Sequence, residues 1–531
     1  MRGAAHCLRS LRRSQLSCTY DIAIVGSGFA GSLMAMIARR LGLSAVLVER
    51  GKHPRFMIGE SSTPLSNLLL EDLSTRYNLP AVKPLAKWGS WQQHYPDLAC
   101  GLKRGFTFYH HVLGHPDVPD PDHRNQLLVA ASPNNKIADT HWYRATFDAF
   151  LVEQAQSLGV DYIDELALEK LRLQHDEITL EGYKDGRPLA LRARFVVDAT
   201  GPRGFLHRAL QLPEAKLPDY PSTQALYSHF SNVKRLDQID PGPEMHPYPV
   251  DDAAVHHVFD GGWIWVLRFN NGTTSAGVAA TDKSAAELRL EEGAGAWERL
   301  LRLMPRLKEQ FAEAKAERPF THVQRLSFLS GAVCGERWAL LPSAAGFVDP
   351  LLSTGFPLTL LGISRLADIL EHDWESRLFN TRLQHYAAQT VDEVHATSGL
   401  IAALYANMNN FPVFTALSLL YFAAASFSET ARRLNKPGLA SSFLLRDHPT
   451  FGPAFRMLLD RGRHLQTQQD SDNLIADVLQ VIEPLDVAGL CRQDRHNWYP
   501  VDPADLFRSA SKVEATPDEI AQLLQSCGFY S

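Results

Sequence analysis

The sequence predicts an α/β fold: a three-layer, Rossmann-type domain, a second β-sheet layer beside it, and a helical C-terminal region. Three observations predict it. A strand–turn–helix–strand unit with GxGxxG spacing lies near the start of the chain. Sheet-rich segments occupy about 100–135 and 220–280. From about 365 onward, apolar residues recur at three- and four-residue spacing.

The first strand is Asp21-Ile22-Ala23-Ile24-Val25, a short run of the kind buried in parallel sheets. It runs into Gly26-Ser27-Gly28-Phe29-Ala30-Gly31 and then a helix predicted over Ser32 to Leu41. The first glycine permits the tight turn, the second lets the backbone approach a pyrophosphate, and the third lets helix and strand pack closely. The helix N-terminus offers free N–H groups to phosphates. A second strand, Ala45 to Val48, ends in Glu49, 21 positions beyond Gly28. That is close to the spacing of the carboxylate that binds a ribose hydroxyl. Further on, Val196-Val197-Asp198 reads as a buried strand ending in the turn Ala199-Thr200-Gly201-Pro202.

At 531 residues the chain can hold two or three structural regions around a large core. A net charge of −6 and a pI near 6.4 leave no basic footprint for nucleic acid. The six cysteines show no CxxC or regular spacing, which speaks against a disulfide framework or a zinc site and fits a reducing cytoplasm. Residues 1–20 carry four arginines and no acid, and read as a disordered N-terminal extension, a non-native start or a transit peptide. The apolar stretch Phe411 to Phe427 is short of a membrane span and reads as a buried or interface helix. The pairs His110-His111 and His256-His257 alternate across strand faces, so neither is a chelate, and no metal site is expected.

Three further motifs carry chemistry. Trp263-Ile264-Trp265 places two tryptophans on one strand face. Phe347-Val348-Asp349-Pro350-Leu351-Leu352-Ser353-Thr354-Gly355 ends in a small-residue turn able to form an anion-binding nest of backbone N–H groups. Leu102-Lys103-Arg104-Gly105-Phe106-Thr107-Phe108 supplies an amine. Together with the dinucleotide unit, these resemble the flavin-dependent halogenases, of the phenol and pyrrole type more than the tryptophan type, within the FAD-dependent monooxygenase superfamily. Arg50, the Gly59-Glu60-Ser61-Ser62-Thr63-Pro64 segment and the element around Arg144 resemble the same superfamily over residues 20–365.

The resemblance implies a glutathione reductase/PHBH-like FAD domain built from residues 21–70, 140–205 and 330–365 within 21–365. A substrate-side sheet from 100–135 and 220–280 is interleaved with it, and 366–531 is the helical C-terminal region. It implies FAD contacts from Gly26, Gly28, Ala30, Gly31 and Glu49. Arg50, Arg144, Ser343 and Asp349 would add to them, Arg144 being readable also as an ion-paired helix residue. Chloride or bromide would be held by Ser353, Thr354 and Gly355, unless that loop only touches the flavin. A tunnel would be walled by Trp263, Trp265, Phe347 and Pro350, the tryptophans being readable also as core packing. Lys103 would receive hypohalous acid and present the halogen to an electron-rich ring, the other reading being a solvated lysine at a strand start. Burial of that amine would lower its pKa.

Two departures shape the expected chemistry. Leu352 stands where tryptophan halogenases carry a glutamate, which favours a phenol or pyrrole over an indole. Ser343 stands where flavin hydroxylases carry an aspartate, which moves the reading away from hydroxylation. A third, Arg268 in place of the proline of W-x-W-x-I-P, runs against halogenase activity. Reduced FAD is expected from a separate NAD(P)H flavin reductase, because only one clear GxGxxG is present. The substrate is expected to be a small aromatic molecule, free or tethered to a carrier protein. The alternative is a flavin monooxygenase of the same fold that uses no halide.

Overall fold

The structure is a computed structural model that describes residues 19–116, 120–174, 176–239 and 246–529. The expected N-terminal extension lies outside the described residues except for Thr19 and Tyr20, which open the first strand and pair with Arg192 and Ala193. Parts of two Pro- and Asp-rich loops also lie outside them.

A parallel sheet forms the first layer. Its order is Trp338–Leu340, Arg187–Asp198, Thr19–Val25, Ala45–Val48 and Asp161–Ile163. Ile22, Ala23 and Ile24 are fully buried, as a central parallel strand covered on both faces requires. The antiparallel ribbon of Leu166–Leu173 and Ile178–Lys184 continues from the first half of Arg187–Asp198. Helix Phe29–Arg40 packs against helices Arg144–Ser157 and Gly355–Asp373.

The second layer is a nine-stranded sheet. Its central strands are Thr223–Ser231, Thr274–Thr281, Gly262–Arg268, Ala254–Phe259, Gly105–His110 and Gln126–Ala130. Alternation sorts the tryptophan strand between two cores: Trp263, Trp265 and Leu267 join the main core, whereas Ile264 and Val266 pack with Trp297, Leu300 and Phe311. Strands Cys100–Lys103 and Asp139–Trp142 form a separate pair, with Lys103 opposite Asp139.

The C-terminal region contains the long helices Phe379–Ala406, Phe411–Arg433, Phe451–Arg463 and Gln468–Ile482. The helical pattern starts earlier than 365, because Gly355–Asp373 is already a helix. The region is not wholly helical: Trp498–Tyr499 pairs in parallel with Gln126–Ala130 and joins the edge of the nine-stranded sheet. Two residues are too few for a periodicity to show in the sequence. Phe411–Arg433 is apolar and long enough to cross a membrane, but 83% of its most apolar window is buried inside the protein. The helix therefore belongs to the core.

Candidate active site

Residues in contact with Lys103 line two cavities, Ser61 the larger and Phe106 the smaller. The larger, about 480 Å³, runs from the glycine turn to the tryptophan pair. Gly26 has φ +99°, and a Cβ there would lie 2.8 Å from the Ala199 carbonyl carbon, so only glycine makes this turn. A Cβ on Gly31 would lie 1.9 Å from the Gly26 oxygen, so the third glycine serves packing and does not itself line the cavity. Gly28 and Ala30 do line it. Glu49 accepts from the Ser27 N–H at 3.0 Å, the Ser27 hydroxyl at 2.9 Å and the Gly51 N–H at 2.9 Å. Burial alone would raise its carboxyl pKa, but Arg55 and these donors hold it below the usual range.

Arg144 is ion-paired within its helix and also lines the larger cavity. It is paired in bidentate fashion with Asp148 at 2.8 Å and donates to the Gly59 carbonyl at 3.0 Å. Exposed Arg50, Ser343 and the turn Ala199-Thr200-Gly201-Pro202 complete this end. The cradle that a Cβ would fill, the helix N-terminus and the buried acid fit FAD, with the deeper part of the cavity left for its ring system.

At the far end, Leu352 (φ 62°) and Ser353 (φ 56°) both adopt left-handed backbone between right-handed neighbours. This alternation curls backbone N–H groups into a concave nest. Ser353, Thr354 and Gly355 line the cavity there, as do Phe347 and Pro350. Two strained non-glycine residues in succession are a local cost that the surrounding structure must impose. Asp349 anchors the loop. Its buried carboxyl accepts from the Leu351 N–H at 3.0 Å, Tyr405 at 3.0 Å, Tyr220 at 3.1 Å and Trp263 Nε1 at 3.2 Å. Asp349 thus commits its carboxyl to the protein, and the residue also lines the cavity. Burial outweighs those donors and pushes its pKa up to about 6. Because the folded chain then binds this proton more tightly, Asp349 makes stability fall as pH rises from about 4 to about 6, by at most about 3 kcal/mol. Asp349→Asn is expected to remove that slope in urea unfolding followed across this pH range.

Trp263 and Trp265 lie along the cavity wall with ring centroids 5.6 Å apart and ring planes tilted by 48°. Arg268 lies on the opposite face of their strand. It pairs with Asp251 at 2.7 Å and donates to the carbonyls of Val233 and Lys234. The proline-to-arginine departure is therefore a scaffold change outside the cavity. Arg268→Ala is expected to destabilise the fold by about 1–3 kcal/mol in chemical denaturation, with FAD affinity unchanged.

Lys103 has no solvent exposure. It is not the solvated lysine that its strand-start position also allowed. The segment after Gly59 lies against strand Asp139–Trp142, through Ser62 N–H and hydroxyl bonds to the Thr140 carbonyl. This brings Ser61 and Ser62 over the amine. Lys103 Nζ donates to Ser61 Oγ at 2.8 Å and to the Ser62 carbonyl at 2.5 Å, and lies 3.7 Å from the Phe106 ring centroid. Burial pushes its pKa down, partly opposed by the Asp139 carboxylate. Burial, then the Lys103 charge, hold His141 and His256 at about 3, so both rings are neutral. Ser61 lines the larger cavity; Phe106 and Asp139 line a second one of about 180 Å³. Helix Phe411–Arg433 and the chain around Tyr499 also line that second cavity.

A family model described as tryptophan halogenase matches residues 132–411. The chain belongs to the tryptophan halogenase family. Relatives with which it aligns include the tetracycline 7-halogenase of Kitasatospora aureofaciens, 30% identical over 66% of this chain and 62% of that protein. The monodechloroaminopyrrolnitrin halogenase of Pseudomonas fluorescens is 29% identical, over 66% and 61%. A Pseudomonas fluorescens chlorinase of pyrrole-2-carbonyl peptidyl-carrier protein is 26% identical, over 69% and 79%. The chain thus spans about six-tenths of the length of the first two relatives. The crystal structure of halogenase PltM with phloroglucinol and FAD shares the fold, with a TM-score of 0.78 and 23% identity over 90% of this chain and 99% of that one.

For a tryptophan halogenase family member, the fold is the FAD-binding Rossmann type expected from the sequence. Three features of the site were not read from its motifs. Tyr220 and Tyr405 reach Asp349 from distant segments, and no local spacing announces them. Asp139 is a buried carboxylate beside Lys103, whereas the sequence pointed to a missing one at Leu352. The histidine pairs do split across faces, but His111 and His257 meet across strands at 2.9 Å. Among the described residues, the one cluster with metal-like spacing, Asp368, Glu371 and His372, lies toward the surface with its carboxylates on Arg76 and Arg382.

Proposed function

We propose that the protein is a flavin-dependent halogenase that chlorinates or brominates an electron-rich phenol or pyrrole through Lys103. The observation that carries this reading is the placement of the Lys103 amine between two cavities, with Ser61 on the wall of one and Phe106 on the wall of the other. FAD, reduced and bound along the glycine turn, supplies oxygen activation for oxidation of the halide to hypohalous acid. The nest at Ser353, Thr354 and Gly355 holds the halide by backbone N–H groups beside the flavin end. Trp263, Trp265 and Phe347 wall the cavity with apolar surface and exclude water from it. Lys103 takes up hypohalous acid by hydrogen bonding, in place of its bond to Ser61, and turns the halogen toward the second cavity. An amine whose charge is weakened by burial can both donate to the acid's oxygen and recover its proton.

The substrate ring occupies the smaller cavity, free or carried on a peptidyl carrier protein. Reduced flavin comes from a separate NAD(P)H flavin reductase, since the sequence has a single clear GxGxxG. We assign the protein to the cytoplasm; Cys100, Cys334, Cys491 and Cys527 are free thiols.

The test is incubation with FAD, a flavin reductase, NADH, oxygen, an electron-rich phenol and either chloride or bromide. Products are read by isotope pattern in mass spectrometry. A halogen isotope doublet that tracks the added salt is expected. A product that gains oxygen alone would overturn the reading in favour of a monooxygenase.

A further inference from the structure

The second cavity contains a group that the halogen-transfer scheme does not use. Asp139 lines it, is 6% exposed, and stands opposite Lys103 in an antiparallel strand pair. Directly opposed residues there have Cβ atoms about 5 Å apart. Its Oδ1 accepts from Asn67 Nδ2 at 2.7 Å. Its Oδ2 is buried and accepts from nothing among the described residues. A buried carboxylate oxygen without a donor is costly, and such oxygens are found with a partner in the great majority of cases. The rest of the nearby wall is largely aromatic and aliphatic, including Phe106, Tyr421 and Phe422. The missing donor therefore belongs to what fills the cavity.

We propose that Asp139 is a catalytic base that binds the acidic O–H or N–H of the substrate ring and takes its proton as the halogen is transferred. This inference rests on the halogenase reading above. The substrate class it selects is a ring bearing a free hydroxyl or ring N–H, as opposed to an ether or an N-alkylated ring.

With a phenol, the substrate O–H bond breaks and its proton passes to Asp139 Oδ2. The ring carbon uses an electron pair to form the carbon–halogen bond as the oxygen–halogen bond of hypohalous acid breaks. The departing hydroxide takes a proton from the Lys103 ammonium and leaves as water. The ring then loses its displaced hydrogen as a proton to the Lys103 amine, and Asp139 returns its proton to the substrate oxygen. Both side chains end in their starting states. Burial raises the Asp139 carboxyl to about 7, with the Lys103 charge opposing the rise, so near neutral pH the group can both take and return a proton. Glu429 and Arg433, which also line the cavity, act on Asp139 with opposite signs.

The experiment compares 3,5-dimethoxyphenol with 1,3,5-trimethoxybenzene, two activated rings that differ by one methyl on one oxygen. Binding to the FAD-loaded protein is measured by calorimetry, and halogenation by product formation. The wild type is expected to bind the phenol on the order of 10-fold or more tighter, because a site built around a hydroxyl donor rejects the analogue that lacks it. In Asp139→Asn, that preference is expected to fall to within about twofold, and phenol turnover to drop by about 10²-fold or more. Asp139→Glu, which keeps the carboxylate, is expected to restore part of the preference. Equal binding of phenol and ether by the wild type, or an unchanged preference in Asp139→Asn, would overturn the assignment. A clear binding preference with no halogenated product from any variant would instead overturn the halogenase reading and leave Asp139 as a binding residue alone.

Discussion

Lys103→Ala is expected to lower halogenated product by at least about 10³-fold, while FAD affinity and the oxidation of reduced flavin stay within about twofold of the wild type. The separation follows from the geometry. Lys103 does not line the cavity that fits FAD, and its contacts to the wall of that cavity run through Ser61. On the proposed reading, removing the amine removes the acceptor for the halogen without touching the glycine turn, Glu49 or the Ser353 loop. Alanine leaves a void where a fully buried side chain stood, so Lys103→Met serves as the companion variant, keeping the volume without the amine. Both variants are expected to lose halogenation equally. Equal loss of flavin oxidation in the two would mean that Lys103 supports the fold and not the transfer.

Gly31→Ala has the second large effect, on cofactor binding. Its Cβ would stand 1.9 Å from the Gly26 oxygen and 3.2 Å from Ala199 Cβ, so the turn has to open. Backbone at Gly26 cannot give way freely, because its own N–H is bonded to the Val48 carbonyl at 2.7 Å and its Cα faces Ala199. Overpacking of this kind costs about 3 kcal/mol, which corresponds to a loss on the order of 100-fold in FAD affinity if the strain falls on the bound state. Titration of the apoprotein with FAD, followed by flavin fluorescence, measures it. Gly438→Ala, where a Cβ meets nothing within 4 Å, is the control and is expected to leave the affinity unchanged.

The flavin end of the molecule was legible because its information is local. The strand, the glycines, the helix and Glu49 follow one another within some thirty residues, and each position has a steric or electrostatic reason readable from its neighbours. The predicted strand Ala45–Val48 is observed with the same limits. The tryptophan pair was legible for the same reason, since alternation alone puts both rings on one face. The burial of Lys103 was not legible. It depends on strand Asp139–Trp142 pairing with Cys100–Lys103 and on Ser61 and Ser62 arriving from some forty residues away. Asp139 and Tyr405 were missed on the same grounds: their importance comes from topology, and each looks ordinary among its own sequence neighbours. Arg268 is the converse case. Its difference from the family pattern was visible, but its harmlessness to the cavity rests on which sheet face it occupies and on Asp251, Val233 and Lys234 receiving it.

On the proposed reading the halogen moves inside the protein, from the flavin end to Lys103 and on to the substrate. A scavenging experiment checks this route. Product formation with bromide is measured by mass spectrometry with and without excess free methionine, whose thioether consumes hypobromous acid in bulk solution. An unchanged yield is expected in the wild type, because on this route the acid is captured at Lys103 before it can leave. Suppression of the product by methionine, with a regiochemistry equal to that of free hypobromous acid, would contradict it.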